Sequence, residues 1–151
     1  MRIIEDDLNG QAIQHLLHLH AEGMLASTPP GSCNFFDLAA LRVPEVTVWS
    51  IWDGTELAGC GGMREIDSVH GEVKSMRTAE SHLGSGVGRR MLQHIADTAR
   101  SRGYERLSLE TGSSESFAPA INLYERFGFE SCGPFDMYEP NDFSRFYTLL
   151  L

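Results

Sequence analysis

Basic residues are scarce in this sequence: 12 lysines and arginines stand against 21 aspartates and glutamates, which gives a formal net charge of -9. Proteins that bind nucleic acid or anionic membranes nonspecifically depend on clustered Lys and Arg. We therefore expect neither nucleic acid nor a membrane among the partners. An acidic surface does tolerate a cationic substrate.

Cysteines are also few, and their spacing follows no ligand pattern. Cys33, Cys60 and Cys132 are odd in number and form no Cys-x-x-Cys pair, which argues against a disulfide framework and against a zinc ribbon. We expect all three thiols to be reduced and buried.

Long apolar runs are missing as well, since none approaches the roughly 20 residues that span a bilayer. The opening seven residues have no basic segment ahead of an apolar stretch, unlike a secretory signal. With 151 residues, 42% of them hydrophobic, the chain suits one domain spanning residues 1–151. We expect a cytoplasmic protein.

Apolar periodicity and turn residues predict the elements of the first half. After a strand at 1–4 comes a helix that ends at Thr-Pro-Pro-Gly (28–31), with an apolar face of Ile13, Leu16, Leu17, Ala21, Met24 and Leu25. A short helix through Leu38 and Leu41 stops near Pro44. Strands at 46–52 and 56–64 form a hairpin around Asp53-Gly54, and a further strand covers 72–78.

The second half begins with a helix from Val87 that Gly103 ends, followed by a strand that ends at Glu110. Ser116 and Pro119 open the next helix, which Gly128 closes, and strands at 129–133 and 146–151 complete the chain. The predicted buried face of that last helix is Ala120, Ile121, Leu123, Tyr124 and Phe127. The order β-α-α-β-β-β-α-β-α-β-β predicts an α/β (α+β) fold with a mixed sheet.

A glycine-rich loop, His-Leu-Gly-Ser-Gly-Val-Gly at 82–88, leads directly into the long helix. Glycines at a helix start let backbone N–H groups approach an anion, and the helix dipole adds to the attraction. The loop is not a Walker loop, because Arg89 follows the last glycine, and Gly88 comes one place too early for a dinucleotide fingerprint. It predicts a phosphate site of another kind.

Three ordered segments resemble the GNAT superfamily of acyl-CoA-dependent N-acetyltransferases. They are Glu-Val-Lys-Ser-Met-Arg-Thr (72–78), Gly-Ser-Gly-Val-Gly-Arg (84–89) and Ala-Ile-Asn-Leu-Tyr-Glu-Arg-Phe-Gly-Phe (120–129). Further segments at 109–113 and 132–135 resemble an uncharacterised bacterial subgroup. The resemblance covers nearly the whole chain and implies a single GNAT domain with a mostly antiparallel sheet flanked by helices.

The resemblance implies acetyl-CoA as cosubstrate, with its pyrophosphate on the loop amides and its pantetheine arm against the main chain of Met76 and Thr78. The amide of Met76 or a neighbour would be the oxyanion donor. The predicted cofactor-binding residues are Met76, Arg77, Thr78, Gly84, Ser85, Gly86, Val87, Gly88 and Arg89. Leu83 replaces the family's usual Arg or Gln, and Phe117 stands where an Asn is common.

Acetyl transfer to an amine needs a neutral nitrogen, a polarised carbonyl and a proton for the departing thiolate. By its position in the resembling segment, Tyr124 is the predicted general acid. For the base, Glu72 is placed slightly ahead of Glu110 and Glu65. The acceptor is expected to be a primary amine of a small molecule or peptide, attacked directly in a ternary complex.

Other site interpretations are weaker. His15, His18 and His20 lack the spacing of a metal site, so no metal is expected, and Cys60 and Cys132 lack a partner for nucleophilic catalysis. Five aromatic residues suggest a partly aromatic acceptor pocket: Phe35, Phe36, Phe135, Tyr138 and Phe143. The alternatives to an enzyme of this type are an acyl-CoA-binding regulatory module of the same fold and a nucleotide-binding oxidoreductase. A homodimer is compatible with the sequence.

Overall fold

The computed structural model describes residues 1–29 and 38–151. Its strands are β1 (Arg2–Glu5), β2 (Val46–Asp53), β3 (Glu56–Asp67), β4 (His70–Thr78), β5 (Arg106–Gly112), β6 (Glu130–Cys132) and β7 (Ser144–Leu150). Its helices are α1 (Gln11–Ser27), α2 (Leu38–Leu41), α3 (Val87–Ser101) and α4 (Ala118–Phe127), with 3-10 turns at Glu80–His82 and Glu115–Phe117. The predicted order of elements is confirmed.

One seven-stranded sheet in the order β1-β2-β3-β4-β5-β7-β6 forms the centre of the molecule. Every neighbouring pair is antiparallel except β4 and β5, which α3 connects as a crossover. The predicted α/β (α+β) class with a mostly antiparallel sheet is therefore confirmed.

The two faces of the sheet carry different helices, because alternate strand residues point to opposite sides. Trp49 and Met63 pack with α3 and α4 in the larger core. Val48 and Cys60 pack with α1 and α2 in the smaller one. We call these sides the α3 face and the α1 face.

The predicted helix faces hold with two corrections. Ile13 and Leu16 of α1 are buried, but Leu25 is 53% exposed. Leu25 lies nine residues, or two and a half turns, beyond Leu16, so it faces away from the sheet. In α4, Tyr124 alone of the predicted face is fully buried, and its neighbours pack partly buried against the larger core.

The thiols are also only partly as predicted. Cys60 is buried and Cys132 is partly buried, and both are free cysteines. Burial raises the pKa of the Cys60 thiol to about 12, so it stays protonated. Cys33 lies outside the described residues. No helix in the described ranges has the length and apolar character needed to cross a membrane.

Candidate active site

The glycine-rich loop ends in a helix start that no side chain caps. Gly84 and Gly86 have φ angles of 76° and 83°, a left-handed conformation that glycine adopts without strain. Gly86 is the N-cap residue of α3, and no side chain hydrogen-bonds there. The Arg90 amide donates the first hydrogen bond of the helix, to the Gly86 carbonyl oxygen at 3.1 Å. The preceding amides are therefore available to an anion.

Close packing fixes the position of this helix start. Val87 is buried, and its Cγ1 lies 2.7 Å from where a Cβ on Gly59 would be. A Cβ on Gly88 would lie 2.9 Å from Leu123 Cδ2, so the first turn of α3 touches α4 directly. Glycine at 59 and 88 thus allows β3, α3 and α4 to approach closely.

The sheet opens between β4 and β5 beside the loop. These strands pair only where residues 70–72 oppose residues 106–108. Beyond that point β5 continues pairing with β7 through Gly112, whereas β4 continues pairing with β3 through Thr78. In the described part of the sheet, the inner edges of residues 73–78 and 109–112 therefore have no strand between them. An extended ligand can add to such an edge.

A bulge shapes the open edge of β4. Ser75 has a φ angle of 55°, and the register with β3 shifts between Cys60 and Gly62. The Cys60 thiol donates to the Ser75 carbonyl oxygen at 3.3 Å, which holds the bulge. The bulge re-aims the main chain at Met76, the residue predicted to bind the thioester carbonyl.

Tyr124 lies buried on the α3 face. Its ring packs edge-on to Phe129 with the ring centroids 5.9 Å apart. Among the described residues its hydroxyl has no hydrogen-bond partner, and burial raises its pKa to about 12. A phenol in this state is neutral at physiological pH and has a proton to donate.

Glu72 is buried on the α1 face in a network of charged and polar groups. Its Oε1 accepts from Arg64 Nε at 2.9 Å and lies 3.6 Å from Lys74 Nζ. Its Oε2 accepts a 2.5 Å hydrogen bond from the Tyr138 hydroxyl, and Arg64 also pairs with Asp136 at 2.6 Å. Both carboxylate oxygens of the predicted base therefore already have donors.

The two rival carboxylates lie elsewhere. Glu110 is half-buried at the end of β5 and accepts from the Ser144 hydroxyl at 2.8 Å. Glu65 accepts from the Tyr104 hydroxyl at 2.6 Å, and Tyr104 belongs to the larger core. Glu110 thus flanks the open edge, whereas Glu65 lies toward the opposite end of the sheet, where β4 pairs with β5.

Sequence reasoning missed Arg64, which pairs with Glu72, and Asp136, which pairs with Arg64. The pairing of Arg64 with Glu72 follows from the β3–β4 register, which a hairpin prediction extended to residue 67 would have given. Asp136 lies 72 residues from Arg64 in the sequence, and no local pattern predicts that contact.

The aromatic residues predicted to form an acceptor pocket divide into two groups. Phe135 and Tyr138 pack against one another and against Phe146 on β7. Phe143 packs edge-on to Phe117, with centroids 5.7 Å apart. Phe35 and Phe36 lie outside the described residues.

The two predicted cofactor arginines point in different directions. The Arg89 guanidinium lies over the Phe127 ring, 5.9 Å from its centroid, beside the loop. Arg77 lies opposite Cys60 in the strand register, so its side chain projects toward α1. Only its main chain borders the open edge.

The histidines of α1 do not converge. His18 lies 2.9 Å from Glu22, whereas the His20 ring is largely buried. Elsewhere in the described ranges, Asp53, Glu56 and His82 bring ligand-type atoms within 4.8 Å of one another. Both ring nitrogens of His82 have protein partners, Asp53 at 3.1 Å and Ser81 at 2.8 Å, so this group is a hydrogen-bonded cluster that ties the β2–β3 hairpin to the loop.

Comparison with known proteins identifies the family. The family model for the acetyltransferase (GNAT) family matches residues 12–129. YsnE of Bacillus subtilis (strain 168), an uncharacterised N-acetyltransferase, is 52% identical over 148 residues and 98% of each chain. A solved structure from Klebsiella pneumoniae, named an acyl-CoA N-acyltransferase, has 25% identity and a TM-score of 0.84 over 99% of this chain and 97% of that one.

A second solved structure shares the fold with 18% identity, a TM-score of 0.69, and coverage of 99% of this chain and 97% of that one. It is a GNAT family acetyltransferase from Elizabethkingia anophelis with acetyl-CoA bound. The matched family model and the 52% identical relative together decide the assignment. This chain is an acetyltransferase and belongs to the acetyltransferase (GNAT) family.

Proposed function

We propose that this protein transfers an acetyl group from acetyl-CoA to a primary amine of a small molecule or peptide, by direct attack in a ternary complex. The observation that carries the proposal is the open edge between β4 and β5 next to the uncapped start of α3. A strand edge suits the amide-rich pantetheine arm, and a helix start suits the pyrophosphate. The fold neighbour from Elizabethkingia anophelis has acetyl-CoA bound, which is consistent with this reading.

The residues at these two places fit such a cosubstrate. Gly84 and Gly86 have no heavy atom within 4 Å of where a Cβ would be, so a phosphate can approach their amides. We assign the pyrophosphate to residues 84–89, with Arg89 adding a positive charge. We assign the pantetheine arm to the main chain of residues 76–78. Bound acetyl-CoA supplies an acetyl thioester.

The protein's own groups then stabilise and protonate the reacting atoms. The Met76 amide, turned by the bulge at Ser75, is the proposed donor to the developing oxyanion. The Tyr124 hydroxyl is the proposed acid, because it is protonated, has no partner among the described residues, and sits on the helix that touches the first turn of α3. It gives its proton to the departing thiolate.

The amine must lose a proton as it attacks, and a carboxylate on the α1 face is the proposed acceptor of it. Glu72 remains the first candidate, because it is buried at the point where β4 and β5 separate. The amine proton can reach the Glu72 carboxylate through a water, or directly if Tyr138 or Lys74 moves away from it. Glu110 is the second candidate, because it lies beside the same opening on β5.

The remaining assignments follow from the same picture. We propose a single N-acetyltransferase domain over residues 1–151. A cytoplasmic location suits the free thiols of Cys60 and Cys132, because reducing compartments keep cysteines unpaired. The homodimer stays a prediction.

The test combines cosubstrate binding with turnover. Acetyl-CoA should raise the melting temperature, whereas NAD and ATP should not, and thiol release should follow addition of an amine from a broad panel. Gly86→Ala should weaken the acetyl-CoA shift. Its matched control is Gly103→Ala, because Gly103 has nearly the same φ, 84° against 83°, and equally open surroundings at the far end of α3.

Both substitutions carry the same backbone strain, of the order of 1 kcal/mol. Only the one in the loop should affect acetyl-CoA. Binding without turnover on any amine would favour the regulatory module, for which the replacement of the usual Arg or Gln by the 66% exposed Leu83 is the motivating feature. Stabilisation by NAD alone would end the acetyltransfer proposal.

A further inference from the structure

Three cations lie on the α1 face of β3 and β4, and they are not equally neutralised. Arg64 pairs with Glu72 at 2.9 Å and with Asp136 at 2.6 Å. Lys74 lies 3.6 Å from the same Glu72 oxygen. Arg77 is exposed and, among the described residues, has no carboxylate within ion-pair distance. The positive charge of Arg77 can therefore pair with an anionic ligand.

The surroundings of Arg77 hold its guanidinium group against α1. A Cβ on Gly23 would lie 3.2 Å from Arg77 Nη1, so glycine there leaves room for the guanidinium on the helix surface. His20, one turn earlier, is largely buried, and its Nδ1 has no hydrogen-bond partner in the described chain. A buried ring nitrogen without a partner costs free energy unless a ligand satisfies it.

His20 is neutral in this position. Burial, and then the charge of Arg77, lower its pKa from 6.5 to about 4. A neutral imidazole beside a guanidinium adds one polar hydrogen-bonding atom without adding charge. Together they offer a fixed positive charge and a nearby polar group.

A cavity of about 300 to 1,000 Å³ is the usual size for a small-molecule site. One of about 590 Å³ lies here between α1, α2 and the β4 bulge. His20 and Ser75 both line it. Ser75 is followed by Met76, the proposed oxyanion donor, and then by Arg77. Arg77 is not part of the cavity lining, but its guanidinium lies against Gly23, one turn of α1 from His20.

We infer that the acceptor is a small amine that also carries an anionic group, and that His20 in the cavity and Arg77 beside it bind that group. This inference rests on the proposed function. Arg presents a planar fork of N–H donors that matches a carboxylate. A purely cationic amine would meet the charge of Arg77 with no compensation. The net charge of the whole chain is -9, but the local charge at the proposed acceptor site is positive because of Arg77.

The cavity of about 590 Å³ admits an acceptor of amino-acid size. In the reaction the amine nitrogen bonds to the acetyl carbonyl carbon, the carbon–sulfur bond breaks, and CoA leaves as the thiol. The anionic group takes no part in the bond changes.

Matched acceptors test the inference directly. Each amino acid is compared with its carboxamide and with the amine that lacks the carboxyl group, at saturating acetyl-CoA. The carboxamide's amine is less basic, so more of it is neutral, and basicity alone would favour it. A higher kcat/KM for the amino acid would therefore report recognition of the anion. Aminophosphonates show whether the anion must be a carboxylate.

Variants at Arg77 then assign the effect to this site. Arg77→Gln should raise KM for the amino acid about 10- to 100-fold, the range of a lost charge-assisted hydrogen bond. KM for the carboxamide should change far less than KM for the amino acid. Arg77→Lys should fall in between, because it keeps the charge and loses the fork. Arg100→Gln is the control, since Arg100 is exposed on α3 and pairs with Asp97.

The outcomes separate the two proposals. If wild-type enzyme prefers the uncharged amines, or if Arg77→Gln changes KM equally for the acid and its amide, the anionic acceptor is wrong while acetyltransfer stands. If acetyl-CoA binds but no amine releases thiol, the proposed function fails and takes this inference with it.

Discussion

The two faces of the central sheet differ in polarity and packing, although the same strands form both. On the α3 face, Gly59 and Gly88 let backbones approach closely, and the interior is mostly apolar. On the α1 face, buried Glu72 and Ser108 lie among charged side chains, and a cavity opens beneath α1. The first arrangement holds a helix start and a strand edge rigidly, whereas the second offers varied polar contacts.

Two tyrosines express this difference. Burial raises the pKa of both, but Tyr124 has no polar partner in the described chain, whereas Tyr138 donates a 2.5 Å hydrogen bond to Glu72. A phenol that already donates to a carboxylate has its proton committed. An unpartnered one can give its proton to a new group. This difference supports the proposal that the acid lies on the α3 face and that the acceptor binds on the α1 face.

Tyr124→Phe tests the difference between the two faces most directly, because it removes the proposed acid on the α3 face. If the hydroxyl is the acid, kcat should fall about 10²- to 10⁴-fold, the usual contribution of general acid catalysis. Stability should not fall, because the substitution removes a hydroxyl that has no partner among the described residues. Steady-state thiol release and urea unfolding measure the two effects.

Tyr147→Phe is the control for Tyr124→Phe, because Tyr147 is equally buried in the larger core. The raised pKa of Tyr124, about 12, also predicts that activity shows no loss from tyrosine ionisation below about pH 11. A kcat for Tyr124→Phe within threefold of wild type would remove Tyr124 from the mechanism.

The next effect is expected at Glu72. Glu72→Gln removes a buried negative charge and replaces one of its two accepting oxygens by an NH₂ donor, which should cost about 3 kcal/mol of unfolding free energy. That figure is at the low end of the range for broken buried pairs, because Arg64 keeps Asp136. Urea unfolding measures it, with exposed Glu130→Gln as the control.

The same variant decides between the two proposed bases. If Glu72 is the base, Glu72→Gln should lower kcat well beyond any loss explained by unfolded protein, and Glu110→Gln should not. The reverse result would transfer the role to Glu110. Equal, small losses in both would leave neither as the base.

Close packing on the α3 face predicts a smaller effect at Gly59. A Cβ there would lie 2.8 Å from the Arg77 carbonyl oxygen and 2.7 Å from Val87 Cγ1. Because a backbone atom cannot move aside cheaply, Gly59→Ala should cost about 2 kcal/mol. Gly133→Ala is the matched control, since nothing lies within 4 Å of its added Cβ. Equal melting temperatures for the two variants would contradict the packing argument.

The sequence predicts features that local patterns specify and does not predict contacts between residues far apart in the chain. The element order and the start of α3 at Val87 are local, because periodicity and glycine placement specify them within a few residues. The glycines predict the phosphate loop, and the family resemblance implies the role of Tyr124. The separation of β4 from β5 after Glu72 could not be predicted, because pairing between strands connected by a long helix leaves no local pattern.

The same limit explains the charged network. The contacts of Glu72 with Tyr138 and of Arg64 with Asp136 join residues 66 and 72 positions apart. The partners of a buried charge depend on tertiary packing, so the sequence offered Glu72 as a candidate base without showing that both its oxygens are engaged. The unneutralised charge of Arg77 is hidden for the same reason.

The smallest expected effect concerns acid stability on the α1 face. His20 has a pKa of about 4 in the folded protein and an ordinary value of 6.5. A base that is harder to protonate when folded contributes stability that is fully present above about pH 6.5 and is lost as the pH falls toward 4. The loss should reach at most about 2 kcal/mol at pH 5 relative to pH 8.

His20→Leu should flatten that part of the pH profile, whereas His15→Asn should leave it unchanged, because His15 is exposed on the same helix. Urea unfolding between pH 8 and pH 5 gives both profiles. An anion that binds at Arg77 and His20 should make the wild-type slope shallower, because a bound negative charge favours protonation of the imidazole in the folded state. A wild-type profile as flat as that of His20→Leu would mean that the ring is not buried against Arg77, and the acceptor site would lose its polar half.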